Sequence, residues 1–340
     1  MKKILLAFIT CFYCSSIQAS PFPERRMAIH VGASAISYAI ADVDPENDSI
    51  VKAHDSAHLP IPFHEDLEQN RENSLSRQIQ EQALGIFRQL KNKADYYQVT
   101  KIKAVATETF RQAGNRVEMV ASILGKTGIR VEIIDQETED RLDYFTAIRT
   151  RQDNDESMIW DIGGGGYQLI MSDSQDNPST FKGGYGSITF LNFLLEVAQD
   201  KDHRQTRNIH PLTQQQFETG LRFARHLARR TPESMASIIR KNHGQATAIG
   251  KLFQYSILPS AGSRKVSQAQ LKAYIEKSLN LEATESHDDD SGRPRKGFSH
   301  LALSNAILVF GFMEELGITL LAIAERSDTD SILEYTPFWQ

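Results

Sequence analysis

Three stretches near the start of the chain alternate apolar and polar positions or run briefly apolar: Met27–Gly32, Ile36–Val43 and Ser49–Asp55. Turn formers divide them, first Gly32-Ala33-Ser34 and then Asp44-Pro45-Glu46-Asn47-Asp48, so the pattern predicts an antiparallel meander. The period then lengthens. Leu75, Ile79, Ala83, Phe87 and Leu90 recur at helical spacing and predict a helix over Ser74–Leu90. A strand is expected at Val99–Ala106, then a helix capped by Asn115 and closed by Gly125 or Gly128. Next come a strand at Ile129–Ile134 and a helix from Thr138 to Thr150.

The same order begins again. Met158–Ile162 reads as a strand, Gly163–Gly166 as a turn and Tyr167–Ser172 as a second strand. Asn177-Pro178 marks another turn before Thr180–Gly183. The segments His30–Ala35 and Asp161–Gly166 therefore head two similar halves. This is a duplication of domain size, unlike the short repeats of solenoids. Later, Thr213 and Gln216 form a capping box before an apolar helix face, and Ser267 starts another helix. Leu303, Ile307, Phe310, Met313 and Leu316 line a further helix ended by Gly317, and Ile318–Ala324 reads as a strand. Between these last helices, Ala283–Gly297 holds Asp288-Asp289-Asp290 and Arg293-Pro294-Arg295-Lys296 and is expected to be a mobile surface loop.

With 340 residues the chain has room for two domains, and 40% hydrophobic with 24% charged residues is ordinary globular composition. The formal net charge of −5 implies no broad basic surface, so nucleic acid is not an expected partner. The first residues add an address. Lys2 and Lys3 precede the apolar run Ile4–Cys14, and Ser15-Ser16-Ile17-Gln18-Ala19 suits a cleavage site after Ala19. This is the pattern of a secretory signal peptide over residues 1–19. Its removal takes away two lysines, moving the net charge from −5 to −7, and both cysteines of the chain, Cys11 and Cys14. The mature chain would then have no disulfide, no catalytic Cys and no Cys-ligated zinc. No later apolar run reaches about 18 residues, so no stable membrane insertion is expected after cleavage. The expected location is periplasmic or secreted.

The strongest candidate for chemistry is Trp160-Asp161-Ile162-Gly163-Gly164-Gly165-Gly166. A dinucleotide fingerprint needs strand, glycines and then helix, whereas here a strand follows the glycines. The glycines let backbone N–H groups approach an anion closely, as phosphate binding requires. Asp161 would repel that phosphate unless a metal lay between them, so Asp161 reads as a Mg²⁺ ligand. The equivalent loop, Gly32, Ala33 and Ser34, would supply the opposing jaw. Arg111, in Thr107-Glu108-Thr109-Phe110-Arg111-Gln112-Ala113, could hold a phosphate in a fork. The acidic run Asp135-Gln136-Glu137-Thr138-Glu139-Asp140-Arg141 is equally ordinary for a first helical turn. His54 and His58 are four apart, but they are placed on a strand leading into a loop, which argues against a metal pair.

At Ala106–Ala113, Ile134–Leu142 and Asp161–Gly166 the chain resembles the exopolyphosphatase and guanosine pentaphosphate phosphohydrolase family, of the actin, sugar kinase and Hsp70-like superfamily. Lys182–Ile188 matches a fourth, weaker family segment. The resemblance implies an α/β fold of two actin-like (ribonuclease H-like) subdomains of similar topology with a cleft between them. The expected division is 20–143 and 144–340, the second part carrying helical insertions. It further implies that Glu139 is the catalytic base for water attack on a terminal phosphoryl group. Asp161 would hold Mg²⁺ or Mn²⁺, Gly163, Gly164, Gly165 and Gly166 would cradle phosphate, Arg111 would neutralise it, and Ser187 would lie near the cleft. The implied substrate is polyphosphate or a nucleotide polyphosphate, and a homodimer is left open.

Several positions depart from the family pattern. His30 stands where the first loop usually begins with Asp, and Gln168 where the second loop usually ends in Glu. Thr329-Asp330-Ser331 replaces a closing Arg-Glu-Gly, and Ser56 stands in place of an Arg. Two negative charges are thus missing from the expected metal site. The rival expectation is a weakened relative that binds polyphosphate, another anion or a protein partner. A sugar or acetate kinase is disfavoured, because ATP is scarce outside the cytoplasm.

Overall fold

The computed structural model describes residues 23–70, 72–150, 158–172, 178–279, 299–324 and 326–340. The leader expected at 1–19 and the loop expected at 283–297 lie outside them.

The first meander is β1 (Glu24–Val31), β2 (Ala35–Asp44) and β3 (Ser49–Pro60). Then follow α1 (Phe63–Gln69), α2 (Arg77–Tyr96), β4 (Lys101–Ala106), α3 (Glu108–Gln112), α4 (Arg116–Thr127), β5 (Val131–Ile133) and α5 (Gln136–Thr150). The strands make one sheet in the order β3-β2-β1-β4-β5, antiparallel through the meander and parallel from β1 through β4 to β5.

The second sheet repeats that plan. Its meander is β6 (Ile159–Ile162), β7 (Gly166–Ser172) and β8 (Pro178–Gly184), followed by α6 (Ser187–Phe193) with a π-helical turn, α7 (Gln214–Ala228) and α8 (Glu233–Lys241). Then come β9 (Gln245–Ile249), a second π-helical turn, α9 (Leu258–Ala261), β10 (Lys265–Ser267), α10 (Gln268–Ser278), α11 (Ala302–Leu316), β11 (Leu320–Ile323) and α12 (Asp328–Glu334). The order β10-β11-β9-β6-β7-β8 differs from the first sheet by one added edge strand, β10. The registers agree as well. His30 faces Ser37 across β1–β2, and Asp161 faces Gln168 across β6–β7, each one residue before its strand ends.

The capping box predicted at Thr213 and Gln216 forms, with the Thr213 side chain accepting from the Gln216 N–H. Asn115 sits at the start of α4 but makes no cap; its amide instead exchanges hydrogen bonds with the Leu75 backbone, at 2.9 and 2.8 Å. β3 runs on to Pro60, so His58 belongs to the strand and not to a loop. A bulge at Ile40/Ala41 breaks the register beside His54. His54 Nε2 then meets Asp42 at 2.8 Å, while His58 Nδ1 meets Ser37 Oγ at 2.9 Å, so the two rings serve different partners.

Apolar side chains on α2 and α4, among them Phe87, Leu90 and Ile123, cover one face of the first sheet. In the second lobe α11 is buried nearly all round, packed among α7, α10 and the sheet, which explains its unbroken apolar sequence. Two helices lie between the sheets. Leu142 of α5 joins Ile332 and Leu333 of α12 on the far face of the first sheet, while Tyr144 of α5 packs against Ile159, Ile170 and Ile249 of the second. The last helix of the chain therefore packs on the first sheet, although it follows the second in sequence.

Candidate active site

Each sheet delivers a hairpin loop to the same place. A methyl group added at Gly164 would lie 3.1 Å from the Ala33 Cβ, so the loops nearly touch and Gly164 permits that approach. The loop carbonyls are engaged away from the gap. Ala33 O accepts from His64 N at 2.9 Å and Ser34 O from Ile61 N at 3.0 Å, while Gly163 O and Gly164 O accept from Ser187 N and Ile188 N, both at 2.9 Å. Among the described residues, the N–H groups of Ala33, Ser34, Gly164 and Gly165 donate to no protein acceptor. All four residues line a cavity of about 390 Å³ between the lobes. Paired amide donors of this kind bind phosphate oxygens.

Helix α5 supplies carboxylates to the cavity. Glu139 and Asp143 are four residues apart and so share a helix face. Burial pushes the Glu139 carboxyl above its ordinary range, and Arg111 partly opposes this. Arg111 Nη1 lies 2.7 Å from Glu139 Oε2 and also donates to Ile134 O at 3.0 Å, while its Nη2 donates to Gln136 at 2.8 Å. The guanidinium is thus occupied with the Glu139 carboxylate and the start of α5. Arg111, expected at the phosphate, is not among the cavity-lining residues here. The reason is local: α3 is one short turn, and from it the side chain turns back onto the end of β5 and the start of α5.

Asp161 and Asp143 meet at Gln168, whose Nε2 donates to Asp143 Oδ2 at 2.5 Å and lies 3.3 Å from Asp161 Oδ2. Burial and the charge of Asp328 push Asp161 up to about 7. Burial and Asp161 push Asp143 up as well. Among the described residues, these two half-buried carboxylates share one neutral donor and form no ion pair. Gly250, at φ +90°, makes room for them, since a Cβ there would lie 2.1 Å from Asp161 Oδ1.

A third group stands at the first loop. His30 Nδ1 is 2.9 Å from Lys251 Nζ and 3.0 Å from Asp328 Oδ2, and Lys251 Nζ is 3.5 Å from Asp328 Oδ2. Burial works against ionisation of Asp328, but Lys251 and His30 outweigh it and hold its carboxyl well below the ordinary range.

The structure thus gathers Glu139, Asp161, Gly32, Ala33, Ser34, Gly163, Gly164, Gly165, Gly166 and Ser187 around one cavity. Ser187 has no donor to offer there: its N–H is bonded to Gly163 O and its Oγ donates to Asn305 Oδ1 at 2.7 Å. Sequence reasoning missed Asp143, Lys251 and Asp328. Asp143 was visible as the residue one turn beyond Glu139. Lys251 follows β9, a five-residue strand whose buried positions are mostly alanines, and Asp328 opens α12 behind the cap Ser327.

The loss of carboxylates at 30 and 168 is therefore not the whole account, because Asp143 and Asp328 bring two others into the cavity. Mg²⁺ uses one or two protein carboxylates and completes its shell with water and phosphate oxygens. Asp161 and Asp143 are oxygen donors of that kind and, among the described residues, form no ion pair, so they fit a hard divalent ion. Among the described residues no three His, Cys, Asp or Glu side chains form a metal cluster.

Two duplicated α/β lobes with a cleft between them have the two-subdomain architecture of the actin and Hsp70-like class. A model of the Ppx/GppA phosphatase family matches residues 63–326, and the chain belongs to that family. The fold agrees with solved relatives. A Ppx/GppA family member from Aquifex aeolicus aligns with TM-score 0.67 at 15% identity, over 93% of this chain and 98% of that one. An exopolyphosphatase from Cytophaga hutchinsonii aligns with TM-score 0.70 at 13% identity, over 93% and 98%. An exopolyphosphatase-like protein gives TM-score 0.68 at 17% identity, over 92% and 97%. Family membership makes the chain a phosphohydrolase of the phosphoanhydride-cleaving type, for which a divalent cation is the cofactor in general.

Proposed function

We propose that this protein is an exported phosphoanhydride hydrolase that removes terminal phosphate from polyphosphate or a nucleotide polyphosphate. The observation that carries the reading is Glu139: a carboxylate whose burial raises its basicity, fixed by Arg111, in the same cavity as two facing amide loops. In this reading Ala33, Ser34, Gly164 and Gly165 hold phosphate oxygens through backbone N–H groups. Glu139 takes the proton of the attacking water, and Arg111 keeps its carboxylate oriented. Asp161 and Asp143 would hold Mg²⁺ or Mn²⁺, which supplies charge neutralisation of the phosphate. The leader pattern of residues 1–19 supports export.

The deciding experiment is phosphate release from polyphosphate by the mature protein, with and without Mg²⁺, beside Glu139→Gln. Loss of about 10²–10⁴-fold in Glu139→Gln is expected for removal of a general base. Equal release by both proteins would refute the assignment.

A further inference from the structure

Among the described residues that line the cavity, Lys251 is a cation to which the proposed reaction assigns no role. It sits directly after Gly250, at the start of the helical segment behind β9, and it lines the cavity. Its Nζ faces the first hairpin loop, for a Cβ added at Gly32 would lie 3.7 Å from it. The uncommitted N–H groups of Ala33 and Ser34 belong to that same loop. The ammonium lies 2.9 Å from His30 Nδ1 and 3.5 Å from Asp328 Oδ2, groups on two other segments of the chain.

The charge of the cavity gives this lysine its importance. Glu108, Glu139, Asp143, Asp161 and Asp328 line it, against the lysines Lys182 and Lys251. Lys182 is ion-paired with Asp140. A polyanion entering so acidic a cleft needs positive charge on the loop side as well as on the Asp161 side. Lys251 stands where that charge is needed.

We propose that Lys251 is a phosphate-binding residue, a built-in cation on the first-loop side that pairs with one phosphate of the substrate while the Asp161 side serves another. The inference rests on the reading of this cleft as a polyphosphate site. Entry of phosphate draws Lys251 Nζ away from Asp328, exchanging one anionic partner for another. Phosphate binding then persists in part without any divalent ion.

Calorimetric titration of the mature protein with tripolyphosphate, in EDTA and in Mg²⁺, tests this. Wild type is expected to bind in both, more weakly in EDTA. Lys251→Met, which keeps the length and removes the charge, is expected to weaken binding in EDTA by about tenfold or more, as for loss of a charged hydrogen-bond partner. Asp328→Asn leaves the ammonium and removes its competitor, so it is expected to bind at least as tightly as wild type. A merely structural cluster would lose binding in both variants. The proposal is overturned if Lys251→Met binds like wild type, or if Asp328→Asn loses as much as Lys251→Met. Wild-type binding in Mg²⁺ but none in EDTA also overturns it while leaving the polyphosphate reading intact; binding in neither condition removes both.

Discussion

Glu139, the proposed base, sits where burial disfavours its charged form. Burial raises its carboxyl and Arg111 lowers it again, so the acid limb of the pH–rate profile should lie above the ordinary glutamate value of about 4.3. Arg111→Met removes the lowering influence and should move that limb to still higher pH, measured as kcat/KM for phosphate release. The carboxylates beside Gln168 make a separate prediction about stability. In the unfolded chain both aspartates lose their protons near pH 4, whereas in the fold Asp161 keeps its proton to about 7 and Asp143 is raised in the same direction. The folded state binds more protons in that window, so this pair lowers stability as pH rises from about 4 to about 7. Asp143→Asn should therefore raise the melting midpoint at pH 7.5 in EDTA, by about 2–4 °C per kcal/mol recovered, and change little at pH 4. Adding Mg²⁺ should raise the wild-type midpoint more than that of the variant, because only the wild type keeps both ligands. Gln168→Glu, which a comparison with the family pattern recommends, would instead place a third negative group against two that already repel.

Among the elements, the meanders and the duplicated order were legible because alternation, turn residues and helical spacing reinforce one another there. The hairpin loops were legible for the same reason, since Gly32-Ala33-Ser34 and Gly163–Gly166 interrupt strongly patterned strands. The strand β9 was not. Gln245–Ile249 is only five residues long, and its inward positions are held by Ala246 and Ala248, small residues that favour helix over strand, so the alternation carries little signal. Lys251 was hidden with it, for nothing local tells a lysine after a buried strand from one on a surface turn. Asp328 was hidden by distance, because its partner His30 lies at the other end of the chain. Arg111 could be found but not interpreted: its motif marks a charged residue near the cleft, and only the fold shows it turned onto Glu139. The Gly250 corner between β9 and Lys251 gives a direct test. Gly250→Ala combines a disfavoured φ of +90° with a Cβ 2.1 Å from Asp161 Oδ1. It should cost more than about 1 kcal/mol in urea unfolding and weaken metal-dependent activity in step.

Taken whole, the molecule is two sheets joined through the helices between them, and a cut at residue 143 would fall inside α5. The proposed export carries its own check. Mass spectrometry of protein from the native host should show a mature N-terminus at or near Ser20, and an intact Met1 on cytoplasmic protein would refute it. The placement of α12 bears on how such a chain acquires its structure. Arg26, near the start of β1, donates to Leu333 O at 3.0 Å across 307 positions of sequence. Trp339 lies under the same guanidinium, 4.9 Å away, and donates to Ile332 O at 2.8 Å. The lobe begun first is thus completed last. In the proposed export, the part of the first sheet's far face that Ile332 and Leu333 cover would stay open until the final dozen or so residues emerge, which would keep the early strands pliable. Export of the proposed kind, through machinery that handles only unfolded chains, would then be helped by a first lobe that is finished only when α12 is in place.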